Sequence, residues 1–243
     1  MNEGKDNWHF IEKVGKVNHA GEGGDSNVFS ITLNETEKPS SVVKLYDGPG
    51  INSIDPEKVE EILKQYFIDT ERAKQKLERE PNPFRQSIKI NKETFYLEYK
   101  IISQGTIFMK KEKEVSFIED NKFKKSKRMV KAQVGQKFIH GLNMDVLPSK
   151  DFIAPNEECA ENQAIFANNP DLCKKLNILI QELFENLSQS LVVSFSYGAM
   201  NAKPFIDYRN KKISIVITDL AGNLESYYTH SKKFESLRKQ SKS

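Results

Sequence analysis

Three blocks of this sequence have the residue types and spacing that phosphate chemistry needs. The first is Gly21-Glu22-Gly23-Gly24-Asp25-Ser26-Asn27-Val28, of the form G-x-G-x-x-S-x-V, followed by Val42-Val43-Lys44. Glycines at a turn let backbone N–H groups approach phosphate oxygens with no Cβ between them. A lysine on the following strand brings a point charge to the same oxygens. Gly21, Gly23, Ser26, Val28, Val43 and Lys44 are therefore the candidate nucleotide-binding residues, with Val28 and Val43 flanking a slot the size of adenine. A Rossmann site would place its glycines before a helix, and a Walker A loop needs Gly-Lys-Ser/Thr. Here a β-rich run follows instead.

The second block is Thr70-Glu71-Arg72-Ala73-Lys74-Gln75-Lys76-Leu77, where Glu71 is the candidate partner for Lys44 and Glu61 the alternative. The third runs from Tyr197-Gly198-Ala199-Met200-Asn201 through Pro204 and Asp207 to Ile217-Thr218-Asp219-Leu220-Ala221-Gly222. An aspartate just past a strand is placed to hold Mg²⁺ that bridges phosphate oxygens. Other chemistries find little footing. The four histidines are scattered without zinc spacing, no G-x-S-x-G is present, and Cys159 and Cys173 lack C-x-x-C spacing and read as free thiols.

The elements that must position these blocks follow from periodicity. Val28 to Leu33 alternates at period two, a polar turn spans 34–41, and Val42 to Tyr46 makes the next strand. Asp55-Pro56 opens a helix over 55–80, in which Val59, Ile62, Leu63, Tyr66 and Phe67 repeat at helical spacing. Strands return at Ile88–Ile90 and Phe95–Tyr99 about a turn at Asn91-Lys92, with shorter β-like stretches at 107–109 and 115–118. A second helix reads over 157–191, a β-type segment over 191–195, and two short strands over 205–208 and 213–217. The run Lys122, Lys124, Lys125, Lys127, Arg128 and Lys131 reads as a solvated loop or helix face, or as a docking site for an acidic or phosphate-bearing partner. The Ser- and Lys-rich tail from 232 onward is expected to fray.

In bulk the chain has 243 residues, 37% hydrophobic and 29% charged, with net charge +3. That is ample for a core, and too balanced overall for a nucleic-acid footprint. No apolar run is long enough for a membrane span, and MNEGKDNWHF does not read as a cleaved export signal.

Taken in order, the glycine turn, the lysine strand, the glutamate helix, the loop at 197–205 and Asp219-Leu220-Ala221-Gly222 resemble the protein-kinase superfamily. The nearest group is that of the minimal bacterial effector kinases, the OspG/NleH type. The resemblance spans roughly 15–225 in short blocks, and the segment 100–165 does not align. It implies an α+β, two-lobed fold: a small β-rich N-lobe over 1–105 and a reduced helical C-lobe over 106–243. It implies ATP and Mg²⁺ as cofactors, with Lys44 orienting phosphates, Glu71 holding Lys44 and Asp219 binding the metal. Ser/Thr protein phosphotransfer onto a host protein is the activity implied, by a secreted effector acting in the host cytoplasm; otherwise the protein is cytoplasmic. A ubiquitin conjugate is the kind of partner the resemblance brings with it.

Departures from the family pattern fall where transfer chemistry is done. The catalytic-base position is Ala199, the second metal-ligand position is Pro204, and the loop histidine is Tyr197. Alanine accepts no proton and proline has no side-chain amide. Three readings follow. The chain is a pseudokinase that holds nucleotide without turning it over, or it uses Asn201 or Asp207 in an altered site, or Ala199 replaces an original aspartate.

Overall fold

The computed structural model describes residues 13, 15–33, 39, 41–48, 51, 56–80, 86–102, 107–119, 122–137, 168–196, 201–221 and 223–231. Expectations at Phe10-Ile11, Asp55, Cys159, Tyr197, Ala199, Gly222 and the tail lie outside these residues. The fold class is α+β, and the chain divides into two compact units. One comprises 1–66, 103–138 and 223–228; the other comprises 67–102, 139–222 and 229–243. The units alternate along the chain.

The first unit is built on a five-stranded antiparallel sheet. Its strands are β1 (Gly15–Glu22), β2 (Asn27–Leu33), β3 (Ser41–Tyr46), β6 (Ile107–Glu119) and β7 (Lys122–Lys137), in the order β1-β2-β3-β7-β6. Alternation sends Ile31, Val43, Leu45 and Val130 into one buried cluster, with Val17 and Phe29 packed against it. The first turns of helix α1 (Pro56–Arg79) belong to this unit and bury Val59, Ile62, Leu63 and Tyr66. So does the start of α3 (residues 224–231), whose Tyr227 meets the Tyr66 ring edge-on at 5.3 Å between centroids.

The second unit holds a four-stranded sheet of β4 (Ser87–Ile90), β5 (Glu93–Ile101), β8 (Ala202–Asp207) and β9 (Lys212–Ile217), ordered β4-β5-β9-β8. The β5–β9 pair is parallel and the other pairs are antiparallel. Asn91 and Lys92 both take positive φ, at 49° and 71°, which closes the expected two-residue hairpin turn with the twist the strands require. Helix α2 (Pro170–Leu191) opens on its proline and buries Leu172, Leu176, Ile180, Leu183, Phe184 and Leu187 along one stripe. Among the described residues no helix is long and apolar enough to cross a membrane.

Two segments differ from the sequence reading. Residues 192–196 form a turn and irregular chain rather than a strand. Val192 caps α2 in the left-handed region (φ 55°, ψ 51°), and its N–H and that of Val193 return to the carbonyls of Gln189 and Ser188. Ser188 Oγ accepts from Phe195 N at 3.0 Å, and Val193 and Phe195 are both buried. The basic run 122–131 is part of β7, neither loop nor helix, because β6 pairs with it along its whole length.

Candidate functional site

The glycine-rich turn joins β1 to β2. A bulge between His19 and Gly21 shifts the register, after which Gly21 faces Val28 and Glu22 faces Asn27. Gly23 N donates to Ser26 O at 2.8 Å and closes the turn. A Cβ at Gly21 or Gly24 would meet no atom within 4 Å, and neither glycine has the positive φ that excludes other residues. Chain packing therefore does not require glycine at either position.

Neighbouring segments fix the turn from two sides. Gly48 N donates to Asp25 O at 3.1 Å. A Cβ on Gly48 would fall on the Gly24 carbonyl oxygen and 2.7 Å from the Asp25 carbonyl carbon, so the two backbones touch. The Asp25 carboxylate accepts from Leu224 N at 2.7 Å and from Asn223 Nδ2 at 3.3 Å. Asn223 itself caps α3, accepting from Ser226 N at 2.8 Å. A negative side chain at a helix N-terminus satisfies orphan N–H groups and complements the macrodipole. Beside the turn, Asp47 is almost wholly buried. It is paired with Lys113 and accepts from Asn27 Nδ2 at 2.7 Å, the compensation a buried carboxylate needs. Ser26 is buried within the same turn.

Val28 and Lys44 face one another across β2 and β3, and so share one face of the sheet. Val43 does not share it. It pairs with Phe29 and is fully buried in the cluster of Ile31 and Leu45 on the opposite face. The slot wall expected from Val43 is thus corrected: by the period of two, Val42 is the residue on the Lys44 side.

Glu61 belongs to the same unit as Lys44, and its carboxylate accepts from Tyr228 Oη at 3.2 Å. Glu71 lies ten residues further along α1, about 15 Å at the helical rise, in the part assigned to the second unit.

In the second unit the β8–β9 hairpin gathers the C-terminal block. Ala202 pairs with Ile217, and Asn201 O accepts from Thr218 N at 2.8 Å and from Thr218 Oγ1 at 3.2 Å. Asn201 and Asp219 therefore flank the same end of the hairpin. Asp219 is half-buried, and its Oδ1 accepts from Ala221 N at 3.1 Å in a local turn. Asp207 lies at the other end of β8, about 17 Å away at the strand rise. Its carboxylate accepts from Asn210 Nδ2 at 2.6 Å and Asn210 N at 3.0 Å, bonds that hold its pKa below the usual carboxylate value. That position removes Asp207 as a substitute base beside Asn201 and Asp219. Pro204 is buried within β8 opposite Ile215.

Asp25, Asp47, Gly48 and Lys113 were not singled out in the sequence. Asp47-Gly48 after a strand reads as an ordinary turn, and Lys113 finds Asp47 only through the β3–β7–β6 pairing. Cys173 is a free, buried thiol whose pKa is raised by burial. Among the described residues no group of three or more His, Cys, Asp or Glu side chains is arranged to hold a metal. No family model, curated protein or solved structure matches this chain.

Proposed function

We propose that the chain is an ATP-binding protein of kinase type, a two-lobed effector that transfers phosphate to Ser or Thr of a host protein. One observation carries this reading. Val28 and Lys44 lie opposite each other on strands leading from a glycine turn whose Gly21 and Gly24 are required neither by packing nor by backbone angle. In protein kinases the phosphate-pairing lysine also stands on strand β3, the second strand after such a turn. On this reading the turn amides and Lys44 hold the phosphates, and Val28 lies against the base. The kinase resemblance gives Glu71 the role of lysine partner and Asp219 that of a metal ligand, and a Mg²⁺ held there would neutralise phosphate charge.

A second reading, a pseudokinase in which nucleotide only stabilises an interaction module, is favoured by the β8–β9 hairpin. Asp207 is engaged at the distant turn, Pro204 offers no side-chain amide, and Ala199 offers no proton acceptor.

Thermal unfolding with Mg-ATP tests the common part. At a hundredfold excess over Kd, binding adds about 2.7 kcal/mol. For a chain of this size that raises Tm by roughly 5–10 °C. Lys44→Ala should abolish most of the rise. Absence of a shift with every nucleotide would overturn both readings. Phosphate transfer from labelled ATP, by this chain and by Ala199→Asp, separates them: transfer by either form supports the kinase, and a shift without transfer by either supports the pseudokinase.

A further inference from the structure

The β6–β7 hairpin is longer than the sheet it belongs to. On β7, the last residue paired with β3 is Lys131, opposite Tyr46. From there to the tip, residues 122–130 pair only with β6 among the described residues. Nine residues at the strand rise make a two-stranded ribbon about 30 Å long. Its charge is unlike that of the rest of the chain. Over 107–137 there are ten basic and four acidic residues, an excess of six positive charges, while the whole chain has an excess of three. The remainder of the protein is therefore net negative, and within the ribbon the excess lies on the β7 side, where residues 122–130 include five basic and no acidic residues. Residues 122–137 contain no acidic residue. Lys125 and Lys127 are well exposed, and the Lys125–Glu114 pair at 3.4 Å is solvent-accessible on both sides.

We infer that the free edge of β7 over 122–130 is a docking strand for an extended acidic peptide segment of a partner protein. The inference does not rest on nucleotide binding. A strand edge offers unpaired N–H and C=O groups, and a peptide that adds to it becomes another strand of the sheet. Residues two apart share a face of a strand, so Lys125 and Lys127 share one, and a peptide with a carboxylate at every second residue can set two of them against that pair. A nucleic acid or an anionic membrane would meet the same charge but would have no use for the strand edge or the period of two.

The test uses the full chain and fluorescently labelled probes. One peptide alternates glutamate with threonine over the length of the free edge, and a second has the same composition with its glutamates grouped together. Single-stranded DNA of equal charge and phosphatidylserine vesicles are the comparators. The alternating peptide should bind about tenfold tighter than the grouped one, the sum expected of several cross-strand pairs of opposite charge. It should also slow amide hydrogen exchange within 122–130. The double variant Lys125→Glu/Lys127→Glu, with unchanged Tm and circular dichroism, should lose about tenfold or more of that affinity by replacing attraction with repulsion. If that variant does not fold, the comparison of the two peptides on the unaltered chain still decides. Equal affinity for the two peptides, tighter binding to DNA or vesicles, or no protection within 122–130 each overturns the inference. Equal affinities would mean the lysines only guard an exposed edge against self-association.

Discussion

The Tyr99 hydroxyl donates to Gln86 Oε1, and Gln86 Nε2 lies 3.4 Å from Glu182 Oε2, linking β5, the approach to β4 and α2 within one unit. Burial, reinforced by the Glu182 charge, raises the Tyr99 pKa above its usual value near 10. The folded state thus favours the neutral phenol. Its contribution to stability is complete below pH 10 and declines as pH rises above that, where the unfolded chain ionises first. Tyr99→Phe should cost about 1 kcal/mol at neutral pH, the worth of one hydrogen bond. The gap between the two proteins should close as denaturant unfolding is repeated above pH 10. A gap independent of pH would show that packing, not the hydroxyl, sets the cost. Single residues were the least legible scale in the sequence. The motif names Val28, Val43 and Lys44 together, but Val43 lies on the face opposite the other two. A run of adjacent valines before a lysine does not announce its phase until the partners Phe29 and Ser30 are known.

At the scale of elements, periodicity served where one face is apolar. It found α1 from Val59, Ile62, Leu63 and Tyr66, and β2 from its alternation. It failed for β7, where lysine occupies positions on both faces and nothing local prefers a strand. There the pairing with β6 decides, as strand context outweighs propensity. It failed again at 192–195, where buried Val193 and Phe195 look like strand residues but are held by Ser188, Val193 N by its carbonyl and Phe195 N by its hydroxyl. The glycine-rich turn gives a prediction of this scale because its glycines differ in kind. Gly21→Ala meets open space and should leave stability within about 0.5 kcal/mol of the original, as surface changes do. It should still weaken the thermal response to Mg-ATP if phosphates approach that backbone. Gly48→Ala forces a Cβ into the Gly24–Asp25 backbone and should cost roughly 1–3 kcal/mol by denaturant unfolding. Equal effects of both substitutions on stability would mean the two glycines serve only to shape the chain.

At the scale of the whole molecule, the two units are threaded through one another in sequence, and α1 is the element they divide. Its residues to Tyr66 belong to the first unit and those from Phe67 to the second, within one uninterrupted helix. No reading of local pattern could find this, because periodicity marks the helix as a single object and says nothing of which sheet each turn serves. The consequence is mechanical. A break in α1 interrupts a helix that contributes buried residues to both units, while a break within a strand disturbs one. Ile68 stands just past the division and is about half exposed, so replacing it loses little packing. Ile68→Pro removes an interior helix hydrogen bond and clashes with the preceding turn, at a cost of about 3 kcal/mol or more. Native-state hydrogen exchange should then show faster exchange in β2 and β3 of the first unit and in β5 and β9 of the second. Acceleration confined to one set would mean that the units fold independently and α1 merely passes between them.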